Sequence, residues 1–151
     1  LQGDLPLRAP MSWSADARTG GFTSGTPFRA IAPNVATNNV QAQARDPGSI
    51  LNFYKAMLVL RNSRASIARG SFEHAFADGL VLGFERRLGK ERTLVLINYG
   101  TSTAQTWVTG LPAGARLRAA YPSWGAYAGV DRTGAATIIL APQSVRVFDL
   151  R

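Results

Sequence analysis

Residues 71–100 read SFEHAFADGLVLGFERRLGKERTLVLINYG, and this stretch decides the fold. Its apolar and β-branched residues form three runs, separated by the glycine-containing pairs Asp78-Gly79 and Gly89-Lys90, which favour tight turns. The runs predict strands near Ser71–Phe76, Leu80–Arg87 and Thr93–Tyr99. The stretch therefore predicts consecutive short strands joined by turns.

The same pattern continues towards the C-terminus. Further strands are predicted near Ala104–Val108, Ala115–Ala120, Ala136–Leu140 and Ser144–Asp149. About seven short strands at this spacing are typical of an antiparallel β-sandwich or a partly closed barrel. We assign residues 66–151 to this β-domain and expect the chain to be mainly β.

A helix precedes the β-domain. Asp46 is suited to cap a helix that starts at Pro47, because proline has the φ angle of a first helical position. The apolar residues from Ile50 to Leu60 form a broad stripe, and Arg61 and Arg64 favour a C-terminal end near residues 62–64. A small sandwich offers too little surface to cover such a stripe, so a further partner surface is expected.

Residues 1–45 show neither a helical nor a strand period and are rich in Gly, Pro, Thr and Asn. This predicts a long irregular segment. Its aromatic residues argue against disorder, and we expect Met11, Trp13, Phe22 and Phe28 to be buried against another surface.

The composition restricts the function classes. The 151 residues allow one ordinary core with an attached segment, and the absence of cysteine excludes disulfides and thiolate chemistry. No apolar run is long enough for a membrane span, so no membrane role is expected, and the cellular location is left open.

The net charge of +8 is dispersed along the chain, which argues against a nucleic-acid partner. The densest basic cluster, residues 86–92, is interpreted as a solvated hairpin tip, with a functional basic patch as the alternative.

No complete catalytic set is evident among the nine acidic residues and the single histidine. His74 lies in a predicted strand without a second histidine nearby, so a structural or surface role is expected and no metal site. Asp46 is explained as a cap and Asp78 as a turn residue, whereas Glu85 and Glu91 are interpreted as solvated hairpin charges. No pair of carboxylates is nominated for glycosidic cleavage, and neither a catalytic residue nor a cofactor is assigned.

Two aromatic residues in the glycine-rich loop 123–129 are candidates for stacking on sugar rings. Trp124 and Tyr127 would offer flat apolar surfaces if the loop is exposed. The alternative is that they cover one end of the sandwich core.

Several blocks occur in the order and spacing of a known family. They are RAPMSW (8–13), GGFT (20–23), TPF (26–28), NVQAQ (39–43), DPGSILNFYK (46–55) and LVLINY (94–99). Together they resemble the C-terminal part of the α-amylase family of glycoside hydrolases, in the branch of α-glucosidases, oligo-1,6-glucosidases and trehalose synthases. In that family the position of Ser12 is usually glutamine.

The resemblance implies that residues 1–65 are the last loop and last helix of a (β/α)8 catalytic barrel, and that the β-domain is the C-terminal sandwich. It further implies retaining hydrolysis or transfer at α-glucosidic bonds of an α-glucan or maltooligosaccharide, with the catalytic carboxylates upstream of this chain. The missing N-terminal barrel would be the partner of the helix, and this chain alone is not expected to be active.

Arg8 is the residue to which the resemblance assigns substrate binding, with a loop-fixing ion pair as the alternative. A stand-alone carbohydrate-binding sandwich is the competing function.

Overall fold

The computed structural model describes residues 6–124 and 127–151. The chain divides into two units, Leu1–Leu58 and Val59–Arg151. Within the described ranges no helix has the length and apolar character needed to cross a membrane. The division falls inside the longest helix, and the predicted boundary between residues 65 and 66 stays a prediction.

The first unit contains a short 3-10 helix, Pro6–Arg8, helix α1, Val40–Arg45, and most of helix α2, Ile50–Asn62. The expectation of an irregular segment through residue 45 is therefore wrong for α1. Asn39 starts this helix, because its side-chain oxygen accepts a hydrogen bond from the Ala42 amide at 2.9 Å.

Helix α2 begins three residues later than predicted. The Asp46 carboxylate accepts a hydrogen bond from the Gly48 amide at 2.9 Å and so forms a local turn. Ser49 accepts from the Asn52 amide at 3.2 Å, and its carbonyl accepts the first helical bond from Phe53. Ser49 is therefore the cap that the sequence interpretation had assigned to Asp46, whereas the predicted end near Asn62 agrees with the structure.

The second unit contains helix α3, Ala65–Arg69, which the sequence interpretation missed, and a set of antiparallel strands. The strands are β1 (Ser71–Asp78), β2 (Val81–Leu88), β3 (Glu91–Asn98), β4 (Ala104–Val108), β5 (Arg116–Tyr121), β6 (Ala128–Gly129), β7 (Ala136–Leu140) and β8 (Ser144–Leu150). One sheet has the order β1-β2-β3-β8-β5-β6, and the other pairs β4 with β7. The described strands therefore give the mainly β class that was predicted.

The core of this unit draws buried side chains from both sheets. The larger sheet contributes Leu94, Leu96 and Phe148, and the smaller sheet contributes Ile138 and Leu140, all at most 2% exposed. Burial alternates along β7 as expected when one face of a strand packs inward. The predicted antiparallel sandwich is confirmed.

Glu85 corrects one of the sequence-based interpretations. It was expected to be a solvated hairpin charge, yet its side chain is only 2% exposed. Arg92 donates hydrogen bonds to it from Nε at 2.8 Å and from Nη2 at 2.6 Å, which compensates the loss of water. Arg86 is also half-buried and donates to the Gly70 carbonyl at 2.6 Å. The interpretation of residues 86–92 as a solvated hairpin tip is therefore wrong for Arg86 and Arg92.

Candidate functional site

Arg8 ends the short 3-10 helix of the first unit and is exposed. The four residues that follow, Ala9 to Ser12, line a concavity of about 300 Å³. Backbone hydrogen bonds hold this strip in place: the Val40 amide donates to the Ser12 carbonyl at 2.9 Å and the Gln41 amide to the Trp13 carbonyl at 3.1 Å. Arg8 therefore stands beside a strip of chain that is anchored to α1.

A tight turn supports the same strip from the other side. The Trp13 and Ser14 amides both donate to the Gly20 carbonyl, at 2.7 and 2.9 Å. Within the turn, the Asp16 carboxylate accepts a hydrogen bond from the Thr19 hydroxyl at 2.5 Å. This bond, with a second from the Arg18 amide, holds the pKa of Asp16 below its usual value. Asp16 has a structural role in this turn.

Amide side chains also line the concavity. Asn34, Asn38, Asn39 and Gln43 line it. Asn39 is engaged in capping α1, and the Gln43 side-chain oxygen accepts from the Leu51 amide at 3.0 Å. The side chains of Asn34 and Asn38 have no hydrogen-bond partner among the described residues, so they can donate to and accept from a hydroxyl-rich ligand. Sequence reasoning had missed both, although asparagines near a proposed sugar-binding loop were a usable signal.

The burial that the sequence led us to expect for Met11, Trp13, Phe22 and Phe28 does not occur among the described residues. Met11, Trp13 and Phe22 are each more than half exposed, and Phe28 is 96% exposed. A large apolar surface of this kind is typical of a region that contacts another surface.

In the second unit, Trp124 and Tyr127 are 86% and 67% exposed. The structure therefore does not place them over the end of the core, which was the alternative. Residues 125 and 126, between them, lie outside the described residues. Tyr127 lines an open cleft of about 620 Å³, which we call the β5–β8 cleft.

The carboxylates of this cleft are already engaged. Asp149 accepts hydrogen bonds from Arg64 Nε at 2.7 Å and Nη2 at 3.0 Å, which raises the pKa of Arg64. Glu91 accepts from the Ser66 hydroxyl at 2.6 Å and the Ser66 amide at 2.8 Å, and these bonds lower the pKa of Glu91. Both residues therefore act as structural acceptors.

Among residues 6–124 and 127–151 no pair of carboxylates is nominated as catalytic, because Glu91 and Asp149, which share the β5–β8 cleft, are already engaged by Ser66 and Arg64. Glu85 is enclosed with Arg92, and His74 Nδ1 lies 3.5 Å from Glu85 Oε1 at an irregularity in β1, where His74 has a φ of 49°. In the same ranges no three His, Asp or Glu side chains are grouped for a metal ion. Arg8 belongs to the first unit, and Trp124 and Tyr127 belong to the second.

Comparison with known proteins identifies similar chains. Residues 2–70 match the model of the α-amylase catalytic domain. The oligo-1,6-glucosidase of Parageobacillus thermoglucosidasius is 34% identical over 97 residues, which are 64% of this chain and 17% of that enzyme. The trehalose-6-phosphate hydrolase of Escherichia coli is 31% identical over 103 residues, 68% of this chain and 18% of that enzyme.

The solved structure of isomaltulose synthase from Klebsiella sp. LX3 superposes with a TM-score of 0.71 at 27% identity and covers 95% of this chain and 25% of that enzyme. For comparison, the chain spans about a sixth of the length of the two oligo-1,6-glucosidases that it matches in sequence.

Proposed function

We infer that this chain, which belongs to the α-amylase family of glycoside hydrolases, is the C-terminal part of an enzyme that hydrolyses or transfers α-glucosidic bonds with retention of configuration. The observation that carries the proposal is the match of residues 2–70 to a catalytic domain in a chain whose described part offers no catalytic carboxylate pair. Retaining cleavage needs two carboxyl groups about 5–5.5 Å apart across the bond. These groups would be supplied by a barrel outside this chain.

The exposed face of α2 supports a barrel partner. Ile50, Tyr54 and Leu58 follow one another at four-residue intervals on one side of the helix and are 72%, 63% and 56% exposed. Helices of a (β/α)8 barrel bury such a stripe against the ring of strands. Residues 1–65 would then be the last loop and helix of the barrel, and residues 66–151 its accessory sandwich.

Arg8 would bind the α-glucan or maltooligosaccharide substrate. Its guanidinium carries several donors in a rigid arrangement, which suits the hydroxyl groups of a sugar or a carboxylate that also binds them. The side-chain amides of Asn34 and Asn38, which have no partner among the described residues, line the concavity that begins at Ala9 and would add polar contacts.

The first experiment compares this 151-residue chain with the whole protein on p-nitrophenyl α-glucoside. We expect turnover only by the whole protein. Turnover by the 151-residue chain would contradict the proposal that the catalytic carboxylates lie outside it.

The second experiment tests Arg8. In the whole protein, Arg8→Ala should lower kcat/KM on maltose by the factor that corresponds to about 1–3 kcal/mol of lost transition-state stabilisation, as for the loss of a charged hydrogen bond. Arg18→Ala is the matched control, because Arg18 is also an exposed arginine of the first unit and lies in the turn that Asp16 holds. Equal kinetics of both variants would remove Arg8 from the site.

A second candidate function, carbohydrate binding by the sandwich, is favoured by the exposure of Trp124 and Tyr127. Aromatic faces in water gain dispersion energy when a sugar ring stacks on them. Titration with maltooligosaccharides should show binding that Trp124→Ala abolishes. Trp107→Ala is the control, since Trp107 is also exposed, at 62%, but lies on β4. Absence of binding at millimolar sugar would refute this function.

A further inference from the structure

The β5–β8 cleft has a charge pattern that the proposed function does not use. Four arginines and two carboxylates line it: Arg64, Arg92, Arg118, Arg151, Glu91 and Asp149. The side chains of the cleft therefore carry a net formal charge of +2. The cleft lies entirely in the second unit.

Strand register concentrates the positive charge. In the pair of β5 and β8, Arg118 lies opposite Asp149. One step further, Arg116 lies opposite Arg151, and their backbones exchange hydrogen bonds of 2.9 and 3.0 Å. Because alternate residues of a strand share a face, Arg116, Arg118, Arg151 and Asp149 all lie on the same side of the sheet. Three guanidinium groups therefore share that side with Asp149, and Glu91 is the other carboxylate that lines the cleft.

Asp149 is not available to neutralise them, and Glu91, which accepts its hydrogen bonds from the neutral Ser66, supplies one negative charge against their three positive charges. Asp149 receives two hydrogen bonds from Arg64, and Arg92 is neutralised by buried Glu85. In the described part of the chain, the side chains of Arg116, Arg118 and Arg151 make no hydrogen bond or ion pair. Like charges directly opposite in a sheet destabilise it. If Arg116 and Glu85 are added to the six charged residues that line the cleft, five arginines stand against three carboxylates, so the side-chain charge is still +2.

We propose that the β5–β8 cleft binds a phosphorylated saccharide, whose phosphate is held by Arg118 and Arg151 and whose sugar ring lies against Tyr127. A phosphomonoester carries a charge of about −1.5 to −2 at neutral pH, which matches the excess, and guanidinium groups bind phosphate oxygens in pairs. Tyr127 lines the same cleft and is 67% exposed, so its ring is accessible. The volume of about 620 Å³ lies within the range of small-molecule sites.

The test is calorimetric titration of the full chain with glucose 6-phosphate, inorganic phosphate and glucose, at low salt. Because binding is measured without turnover, the outcome is independent of the proposed enzymatic function. We expect glucose 6-phosphate to bind at least tenfold more tightly than glucose, and more tightly than inorganic phosphate. Equal affinity for glucose and its phosphate would overturn the proposal, and equal affinity for both phosphates would overturn the saccharide part.

Variants assign the roles of the residues. Arg118→Gln should weaken glucose 6-phosphate binding at least tenfold, and Tyr127→Ala should weaken it without changing the affinity for inorganic phosphate. The control Arg132→Gln removes an exposed arginine that does not line the cleft and should change the affinity less than twofold. If Arg118→Gln does not fold, Arg151→Gln takes its place. Equal binding by the arginine variant and its control would refute the proposal.

Discussion

Loss of Arg92 should destabilise the sandwich strongly, because it would leave the carboxylate of Glu85 buried without its partner. Glu85 is 2% exposed and accepts three hydrogen bonds from Arg92, from Nε at 2.8 Å and from Nη2 at 2.6 and 2.8 Å. Removing one partner of a buried ion pair costs about 3–5 kcal/mol. The Arg92 side chain is 17% exposed, so water already reaches part of the pair. We therefore expect Arg92→Met to cost about 3 kcal/mol, at the lower end of that range.

The measurement is urea unfolding of the full chain followed by the β signal in circular dichroism. A loss of about 3 kcal/mol corresponds to a midpoint lowered by roughly 1–3 M urea. Adding Glu85→Leu to Arg92→Met should restore most of the loss, since an apolar pair carries no desolvation penalty. Arg87→Met is the control, because Arg87 is exposed and faces Arg92 in register. A loss below about 1 kcal/mol, or a double variant no more stable than the single one, would refute the reasoning.

Three further changes test other parts of the structure. Gly83→Val should cost about 1–3 kcal/mol in urea unfolding, because a Cβ at this position would overlap the ring of Phe76; unchanged stability would contradict the packing. Asn39→Ala should lower helical circular dichroism and cost about 1–2 kcal/mol, since the cap of α1 is lost, and an unaffected helical signal would count against the cap. The hydrogen bonds from Ser66 hold the pKa of Glu91 below 4.5, so their contribution to stability is present above that pH and is lost as the pH falls through the lowered pKa. The urea midpoints of wild type and Glu91→Gln should accordingly differ at pH 7 and converge as the pH falls through that lowered pKa, and a constant difference would contradict this assignment.

The strands were predictable because their signals are local. β4 and β7 have the predicted bounds, and the other long strands agree within two residues, since alternation and turn residues act over short distances. β6 has two residues and therefore no period to detect. Helix α3 depends on Glu91, which lies 25 positions from the Ser66 amide that it binds. A local pattern contains no information about such a contact.

The charges of the second unit were harder to predict than its strands. Glu85 was interpreted as solvated because it stands near a hairpin turn. Glu85 lies at alternate positions from the buried residues Val81 and Gly83 on the same strand and so shares their face. This alternation was the signal that its side chain points to the core. The arginines of the β5–β8 cleft could not be grouped in advance, because β5 and β8 are neighbours in the sheet although two other strands separate them along the chain. Only the observed register brings Arg116 opposite Arg151.

The two units differ in what stabilises them, and this difference supports the proposal of a barrel partner for the first unit. The second unit buries a cluster of large apolar side chains from both of its sheets. In the first unit the buried residues include Thr19, Asn39 and Ser49, whose side chains form hydrogen bonds within turns and helix starts. Hydrogen bonds contribute only about 0.5–1.5 kcal/mol each to stability, so they position a backbone better than they stabilise a fold. The apolar side chains that could supply the remaining stability, such as Phe28 and Ile50, face outward, where a barrel would bury them.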